Sequence, residues 1–507
     1  MQLDLFKLYN PREDIGAKSQ ISCSGNGLNS IINTILKEIN SNGYKISPFC
    51  KSLSIKLKYH PDTILKMLRN KNNISIAVLE ELLNEWKCLC KKSTLDYITL
   101  KTEIQSKITY LYCGSKYTNK IKAVKGIDIN LAKIVGAHQA DGCLIKEKTR
   151  NGTSYKFMII DYYKSNLIAF NKWVFKTFKI NLKIKKDRTD AWIITARNKI
   201  LGRYLEVYFN FPSGNKILYS IPKIIKNSSN EIKRSYIIGF LTFEGCVEMS
   251  RNISLGIKNE NLRDEICEIL RFNSAPFKKR NINLFSHFRT GILNNKELQI
   301  WKKFFEKNTD KWFKINDYLN GFKYKTNNEN EAMKRLNLVF KNNNYKVTNL
   351  ENVIKSLKKV QCCDKFYLAK KLGIGVSTLQ CYLHILKMAN IIKKTNHPKI
   401  FPIISSKNED AKLRLSKKLN NIIFSKIEKL YSIKEMCNKL KISQFTYYNW
   451  KNNKSSLSIS KLLLIKKLLN IKININEIES FNKNLLEFNN NYKEWIVPDR
   501  PWFNSLS

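Results

Sequence analysis

Two acidic residues occupy the same unusual position, each at the end of an apolar segment. Residues 134–142 read IVGAHQADG and residues 237–245 read IIGFLTFEG, so Asp141 and Glu244 each stand between an apolar run and a glycine. The two carboxylates are 103 positions apart in the chain. A carboxylate at the tip of a buried helix is costly unless it has a partner, because burial removes its hydration. A repeated acid of this kind indicates one shared chemical task, such as holding a cation or moving a proton.

The sequence around these acids predicts the helices that must position them. The stretches IDINLAKIVGAHQADG and IPKIIKNSSNEIKRSYIIGFLTFEG share a helical lead-in, and they resemble the signature of the LAGLIDADG, or dodecapeptide, homing endonucleases. The positions that carry the resemblance are the internal glycines Gly136 and Gly239, the acids Asp141 and Glu244, and the final glycines Gly142 and Gly245. The resemblance covers roughly residues 120–325, where strand-like segments such as YKFMIID and DAWIITAR follow the first acid.

This resemblance implies an α+β fold with two pseudo-symmetric half-domains, at residues 120–230 and 231–325. Each half-domain would have the order αββαββα and a saddle-like antiparallel sheet, and the two motif helices would pack side by side between them. Ala132, Gly136 and Ala140 recur every four positions on one helix face, and their small side chains permit close approach. Gly142 and Gly245 are expected in the left-handed conformation that often ends a helix.

The resemblance also implies that Asp141 and Glu244 meet at one point. Two adjacent carboxylates repel each other and raise one pKa, whereas divalent cations remove that penalty. Hard oxygen ligands suit Mg²⁺, and the family pattern adds the backbone carbonyls of Ala140 and Phe243. Two or three Mg²⁺ ions shared by the paired acids could then activate a water and stabilise the leaving oxygen of a phosphodiester. The implied reaction is cleavage of both strands at a long asymmetric DNA site.

Basic residues complete the site that the resemblance implies. A lysine follows the last strand of each repeat in related enzymes. The segment FPSGNKILYSIPKII offers Lys216, and NTDKWFKINDYLNG offers Lys314, with Lys311 as the alternative. Gln139 and Thr242 stand where the family often has a second acid. The sheets of the half-domains would enter the major groove, which admits a β-ribbon. The basic residues expected to face DNA are Lys156, Lys183, Lys185, Lys186, Arg188, Arg197, Arg251, Lys258, Arg280 and Arg289.

A second internal repeat lies outside the two acid-bearing segments. Residues 57–83 align with the first 27 residues of the segment 440–469 at a constant offset of 383, without a gap. Each copy predicts a helix, a tight turn and a second helix, followed by a helix that Ser75 or Ser458 would cap. The pattern resembles the helix-turn-helix of phage-repressor-type DNA-binding domains, whose second helix enters the major groove. The predicted groove-facing residues are His60, Asp62, Thr63 and Lys66 in the first copy, and Ser443, Gln444, Thr446, Tyr447 and Asn449 in the second.

A third DNA-binding module is predicted at residues 366–394, which resemble a winged helix with Ser377, Thr378 and Gln380 facing the groove. The predicted flanking domains are all-α: residues 25–100, residues 345–403 as the winged-helix-like domain, and residues 410–480. The polar stretch at residues 324–335 is predicted to be a linker. The tail EWIVPDRPWFN is expected to pack on another part of the chain.

The composition favours a nucleic-acid partner. The 507 residues carry 90 basic and 41 acidic side chains, a formal net charge of +49, which indicates a polyanionic partner. An AT-rich coding sequence would enrich lysine but does not explain the shortage of acids. The twelve cysteines lack paired CxxC motifs, and we expect reduced intracellular thiols rather than a zinc site. With neither signal peptide nor membrane span in view, the chain is expected to be a cytoplasmic, nucleoid-associated monomer.

Two further functions remain open on the sequence. A catalytically silent DNA-binding regulator could use the same scaffold, and three predicted DNA-binding modules favour it, whereas retention of both acids favours the nuclease. An RNA-binding maturase that assists intron splicing would take intron RNA as its partner. The chain has none of the terminal residues expected of an intein, so a free-standing or intron-encoded enzyme is favoured.

Overall fold

The computed structural model is a mixed α/β structure with many helices and antiparallel sheets. It describes residues 2–14, 20–69, 73–113, 120–149, 152–187, 189, 191–212, 220–279, 287–340, 348–395, 411–473, 477–481, 485–489 and 494–499. The chain divides into two compact units, one running up to Leu319 and the other from Asn320 onward. No helix in these ranges is long and apolar enough to cross a bilayer.

The first unit begins with a helical module that also contains a sheet. After a 3₁₀ turn at Leu5–Leu8, its elements are β1 (Ile21–Ser24), α1 (Leu28–Ser41), α2 (Ile46–Leu57), α3 (Pro61–Leu68), β2 (Ile74–Ser75), α4 (Ile76–Leu89), α5 (Thr94–Lys107), β3 (Tyr110–Cys113) and β4 (Ile121–Lys122). The strands form one antiparallel sheet in the order β2-β1-β3-β4. The all-α prediction for the flanking modules is therefore wrong. These strands are two to four residues long, too short for an alternating pattern to reveal them.

Two successive segments then repeat one order of elements. The first consists of α6 (Ile129–Asp141), β5 (Gly142–Thr149), β6 (Gly152–Asp161), α7 (Lys164–Phe178), β7 (Ile184–Lys186), β8 (Trp192–Arg197) and α8 (Lys199–Phe209). After the short α9 (Lys223–Lys226), the second consists of α10 (Asn230–Glu244), β9 (Cys246–Val247), β10 (Ile253–Gly256), α11 (Glu260–Phe272), β11 (Lys278–Lys279), β12 (His287–Arg289), α12 (Asn295–Lys302) and α13 (Asp310–Asn320). Their antiparallel sheets run β5-β6-β8-β7 and β9-β10-β12-β11, so the strand order is the same in both.

Strand β6 shows why these sheets have one buried and one open face. Tyr155, Phe157 and Ile159 are buried, while the intervening Lys156 and Met158 are half-buried. Successive side chains of a strand point to opposite faces, so this alternation buries one face against the helices. Phe157 stacks on Phe170 of α7, with ring centroids 5.6 Å apart. The opposite face remains available to a ligand.

Within its described residues, the second unit contains three small sheets. Its elements are β13 (Tyr324–Thr326), α14 (Glu329–Phe340), α15 (Thr348–Val360), β14 (Cys362–Asp364), α16 (Lys365–Leu372), α17 (Val376–Met388), β15 (Ile392–Thr395), β16 (Lys412–Leu415), α18 (Lys417–Leu430), α19 (Ile433–Leu440), α20 (Gln444–Lys451), β17 (Leu457–Ser458), α21 (Ile459–Leu469), β18 (Ile478–Phe481), β19 (Leu485–Phe488) and β20 (Trp495–Val497). Strand β13 pairs with β20, so the tail packs on the chain as predicted. The linker prediction for 324–335 is wrong, because this polar stretch forms β13 and the start of α14.

The two helix-turn-helix copies have matching topologies. In each, a first strand pairs antiparallel with the short strand after the second helix: β1 with β2, and β16 with β17. The turn between the two helices contains a left-handed lysine in both copies, Lys58 and Lys441. Ser75 accepts a hydrogen bond from the Ala77 backbone N–H, and Ser458 accepts one from Lys461. The predicted serine caps are therefore confirmed.

The winged-helix-like segment is completed by a distant strand. Strand β19 lies between β14 and β15 in one sheet, although residues 411–481 separate β15 from β19 in sequence. The second helix-turn-helix copy is thus inserted between two neighbouring strands of this sheet. Leu485 of β19 belongs to the hydrophobic core of the inserted copy. The sheet of residues 362–395 accordingly extends past the predicted boundary at 403.

Candidate active site

The motif helices α6 and α10 meet backbone to backbone. A Cβ atom added to Gly136 would lie 2.1 Å from the carbonyl oxygen of Tyr236, and one added to Gly239 would lie 2.1 Å from that of Lys133. Real Cβ atoms do not approach backbone oxygens so closely, so only glycine fits at either position. The internal glycines of the two motifs therefore mark the crossing point of the helices.

The glycines after the acids are required for space rather than for backbone freedom. Gly142 has φ −77° and Gly245 has φ −65°, both in the extended region. The predicted left-handed conformation is therefore wrong. An added Cβ would lie 2.7 Å from His138 Cα at Gly142 and 2.7 Å from the Leu241 carbonyl oxygen at Gly245. The chain leaves each helix so sharply that its preceding turn leaves no room for a side chain.

Each acid is the last residue of its helix. Asp141 ends α6 and is exposed, while Glu244 ends α10 and is half-buried. Strand β5 starts directly after Asp141, and β9 starts one residue after the Gly245 cap. Both carboxylates therefore lie at equivalent junctions between a motif helix and its sheet.

The side chain of Lys311, a residue of α13, lies at the carboxyl end of α10. Its ammonium donates to the carbonyl oxygens of Thr242 at 2.6 Å and Phe243 at 2.7 Å, and reaches that of Leu241 at 3.3 Å. The last carbonyls of a helix have no partner within the helix, and the helix dipole makes this end negative. A buried cation at this end gives the carbonyls a hydrogen-bond donor and offsets the negative end of the helix dipole. Lys311 is only 7% exposed and lies in the first turn of α13.

The electrostatics link this lysine to both motif acids. Burial lowers the pKa of Lys311, while the negative charges of Asp161, Asp141 and Glu244 act to raise it. The ammonium of Lys311 therefore interacts electrostatically with the carboxylates at the ends of both motif helices. Lys311, one of the two lysines nominated for the second segment, therefore lies at this position.

Lys314 lies one turn further along α13 and acts on a different carboxylate, that of Asp310. Burial raises the pKa of Asp310 to about 7, although a hydrogen bond from Ser165 and the nearby lysines oppose the shift. Ser165 Oγ donates to Asp310 Oδ2 at 3.0 Å, which ties the start of α7 to the start of α13. Lys314 is thus buried beside Asp310.

Sequence reasoning missed a buried carboxylate near this site, Asp161 at the end of β6. Burial raises its pKa to about 6, against the opposing charge of Lys311. Asn166 Nδ2 donates to Asp161 Oδ2 at 2.8 Å and to the Thr242 carbonyl oxygen at 3.0 Å. The strand pattern YKFMIID contained the signal, because an acid directly after a buried strand needs a partner.

The two positions without the second acid have structural roles. The Tyr236 hydroxyl of α10 donates to Gln139 Oε1 of α6 at 2.6 Å, and Gln139 Nε2 donates to the Ser220 carbonyl at 3.1 Å. Thr242 Oγ1 donates to the Ile238 carbonyl at 2.7 Å and accepts from the backbone N–H of Glu306 at 3.3 Å. Both neutral side chains are therefore hydrogen-bonded beside the helix interface without adding charge.

The described residues offer a limited set of metal ligands. In these parts of the chain, no group of three or more His, Cys, Asp or Glu side chains is placed to hold a metal ion. The carboxylates of Asp141 and Glu244 and the carbonyl of Ala140 are hard oxygen donors that fit Mg²⁺. The carbonyl of Phe243 already accepts from Lys311, so its nomination as a metal ligand is not supported by this geometry.

Three of the nominated basic residues of the first sheet share its open face. Lys156 pairs with Arg197 across β6 and β8, and the register places Lys185 of β7 on the same side. Lys183 is exposed just before β7, and Lys186 points to the opposite face from Lys185. The nominated residues Lys216, Arg188 and Arg280 lie outside the described residues.

In the second sheet the nominated basic residues are more dispersed. Arg289 of β12 faces outward opposite Ser254 and pairs with Glu248 at 3.3 Å. Arg251 lies in the turn before β10 and donates to Asn295 Oδ1 at 2.5 Å. Lys258 is exposed between β10 and α11.

One groove-facing prediction in the helix-turn-helix copies is wrong. Tyr447 is fully buried, its ring 5.2 Å from that of Phe424, so it cannot reach a groove. The exposed aromatic residues of α20 are instead Phe445 and Tyr448. The remaining nominated residues are at least partly accessible: His60, Asp62, Lys66, Ser377, Gln380, Ser443 and Gln444 are exposed, and Thr63, Thr378, Thr446 and Asn449 are half-buried.

Comparison with known proteins gives partial likenesses. No family model matches the chain. A DNA polymerase of Methanocaldococcus jannaschii is 33% identical over 128 residues, which are 25% of this chain, and the chain spans only 7% of that polymerase's length. A mesophilic variant of the homing endonuclease I-DmoI is 16% identical with a TM-score of 0.27, covering 35% of this chain and 94% of that chain. I-DmoI in complex with DNA and Mn is 17% identical with a TM-score of 0.27, covering 35% and 95%.

Proposed function

We propose that this chain is a site-specific DNA endonuclease of the LAGLIDADG type, with two pseudo-symmetric half-domains. One observation carries the proposal. Two helices cross at Gly136 and Gly239 with their backbones in contact, and the acids that end them, Asp141 and Glu244, both act on the buried ammonium of Lys311. Two carboxylates that end crossed helices and act on one buried ammonium are suited to metal-assisted phosphodiester hydrolysis.

The acids and Lys311 would have different roles in the reaction. Asp141, Glu244 and the Ala140 carbonyl would hold divalent ions, two or three Mg²⁺ shared by the acids, which activate a water and stabilise the leaving oxygen when bound. Lys311 anchors the last turn of α10, because it binds the carbonyls of Thr242 and Phe243 and so fixes the direction of Glu244. The open sheet faces would lie against duplex DNA.

Because the two sheets present different side chains on their open faces, we expect the DNA target to be asymmetric. The first sheet presents Lys156, Lys185 and Arg197 together on one face. The second presents Arg289 opposite Ser254, with the arginine paired to Glu248. Halves of one fold with different side chains would read different half-sites, as expected of a monomer acting in the cytoplasm on a long, non-palindromic site.

A cleavage assay on a randomised duplex library tests this function. The wild-type chain would be compared in Mg²⁺ and in Ca²⁺, beside the double variant Asp141→Asn/Glu244→Gln. Mg²⁺-dependent double-strand cuts at one long site, absent from the double variant, are expected. Absence of cutting by the wild type would overturn the proposal.

The second candidate is a DNA-binding regulator on the same scaffold. The observation that favours it is the presence of two matched helix-turn-helix modules, one of them inserted in a winged-helix-like sheet. This function would be supported if the wild-type chain and the Asp141→Asn/Glu244→Gln variant both retained library DNA without cleaving it. The retention should be sequence-selective and should weaken with added salt. Stronger binding to structured RNA than to duplex DNA would instead indicate a maturase.

A further inference from the structure

Helix α20 of the inserted module presents an unexpected aromatic face to solvent. Phe445 is 76% exposed and Tyr448 is 45% exposed, whereas Tyr447 and Trp450 on the other side are buried. Residues three apart on a helix are neighbours, so the two exposed rings form one patch. Gln444 is exposed beside them. Large apolar groups exposed on an otherwise anchored helix mark an interaction surface.

The helix that carries this patch is held rigidly. Ser443 caps its start by accepting from the Thr446 N–H at 3.2 Å. Asn420 Nδ2 of α18 donates to the carbonyls of Trp450 at 3.2 Å and Lys451 at 2.7 Å, which fixes its end. The patch is therefore preorganised, and binding would cost little additional ordering of the backbone.

The net charge of the module that carries α20 indicates which kind of partner this face binds. Residues 411–481 contain 15 basic and 4 acidic residues, a net charge of +11, whereas the first module, residues 21–113, contains 13 and 7, a net charge of +6. At the offset of 383, Phe445 replaces Asp62 and Tyr448 replaces Leu65. The second copy has thus lost the acid that would repel phosphates. A strongly basic module with an apolar helix face suits the major groove, where thymine displays its C5 methyl group.

We propose that α20 reads thymine-containing base pairs, with Phe445 and Tyr448 packed against thymine C5 methyl groups and Gln444 bonded to an adjacent adenine. Gln can pair with adenine N6 and N7 in the major groove, and phenyl rings contact the thymine methyl. This inference rests on the proposed binding of duplex DNA but not on cleavage. The first module would not share the preference, because Asp62 and Leu65 occupy the equivalent positions of α3.

The test uses the full chain made inactive by Asp141→Asn and Glu244→Gln. Its preferred duplex would be selected from a random library, and protection of that duplex would be mapped with and without Phe445→Ala and Tyr448→Ala. Thymines in the segment whose protection depends on these residues would then be replaced one at a time by deoxyuridine, which removes only the methyl group. Leu65→Ala, at the equivalent position of the first module, is the matched control. Melting temperatures would verify that all variants fold.

We expect each deoxyuridine to weaken binding of the parent protein roughly fourfold, the value of one buried methyl group. The same replacement should have no effect on the Phe445→Ala/Tyr448→Ala protein, while Leu65→Ala retains the full effect. The salt dependence of binding should stay unchanged, because no phosphate contact is lost. Equal deoxyuridine effects in parent and variant would overturn the inference while leaving DNA binding intact. A parent protein that selects no duplex at all would overturn the proposed function itself.

Discussion

The ammonium of Lys311 donates to the backbone carbonyl of Phe243 at 2.7 Å, immediately before the acid Glu244. A lysine from the start of α13 thus takes the place that a carbonyl-bound metal ion was expected to fill at the end of α10. The corresponding lysine nominated for the first segment, Lys216, lies outside the described residues. In the second segment the cation is part of the protein, and the geometry of Glu244 depends on it.

Replacing Lys311 by methionine tests this dependence. The change leaves the carbonyls of Thr242 and Phe243 and the carboxylate of Asp161 without their buried cation. Breaking a buried ionic contact on one side costs about 3–5 kcal/mol, so the melting temperature should fall. DNA cleavage should fall further than for Lys314→Met, because Lys311 binds the last carbonyls of α10 and acts on both motif acids. Lys307→Met, at an exposed position, is the control for loss of one charge. Equal losses for Lys311→Met and Lys307→Met would contradict the assigned role.

Alanine at the helix crossing should prevent close packing of α6 and α10. The new Cβ of Gly136→Ala or Gly239→Ala would lie 2.1 Å from a backbone oxygen, and the helices must separate to admit it. We expect a loss of about 3 kcal/mol in the free energy of unfolding, seen in thermal melts. Gly375→Ala is the control, because its added Cβ would have nothing nearer than 3.8 Å. Unchanged melting of the Gly136 and Gly239 variants would show that the helices do not touch there.

Stability should depend on pH through Asp310. Burial raises its pKa from 3.8 to about 7, so the folded chain holds a proton that the unfolded chain releases between these values. The resulting stabilisation is complete below about pH 4 and is lost as pH rises through 7. Asp310→Asn removes this titration, so the stability of the variant relative to wild type should increase from pH 5 to pH 8 by roughly 2–3 kcal/mol, seen as a rise in relative melting temperature. Asp62→Asn, an exposed acid, controls for charge. A constant difference across this range would refute the assignment.

A buried ionic cluster fastens the N-terminal segment to the first acid-bearing segment. Arg203 of α8 is 2% exposed and contacts Glu13 at 2.9 Å, Glu206 at 3.1 Å and Asp14 at 3.3 Å. Lys199 also pairs with Asp14. Arg203→Met should cost about 3–5 kcal/mol, because Asp14 stays buried, and Glu13 and Glu206 half-buried, without this partner. Faster proteolysis near residue 14 would accompany the loss in thermal stability.

The matched control is Arg197→Met on the adjoining strand β8. Arg197 is exposed and lies 3.6 Å from Glu147, a surface pair worth at most about 1 kcal/mol. If both arginine variants lose the same stability, burial does not set the strength of the cluster.

Much of the local structure could be predicted because it depends on short-range rules. A serine directly before a helix commonly caps it, and Ser75 and Ser458 do so at α4 and α21. The internal glycines of the two motifs indicated a close approach of two helix backbones, which occurs at Gly136 and Gly239. The short strands of the flanking modules could not be predicted. Strand β2 has two residues and pairs with a strand about fifty positions earlier, so its existence depends on tertiary contacts.

The polar residues around the acids were predictable only in part. Asp161, Asn166 and Lys311 come together because β6, α7 and α13 converge on the end of α10, and no local pattern encodes that convergence. The orientation of α20 was also missed. Tyr447 and Tyr448 are adjacent and chemically identical, and only packing against Phe424 determines which ring is buried.

Strand-resolved cleavage by the single variants Asp141→Asn and Glu244→Gln tests the central claim most directly. A duplex carrying the selected site, labelled separately on each strand, would be incubated with each protein in Mg²⁺. If the two acids share their ions as one site, each single variant should lose cleavage of both strands by at least about a hundredfold while still binding the duplex. Cleavage of both strands at the wild-type rate by either variant would contradict the account.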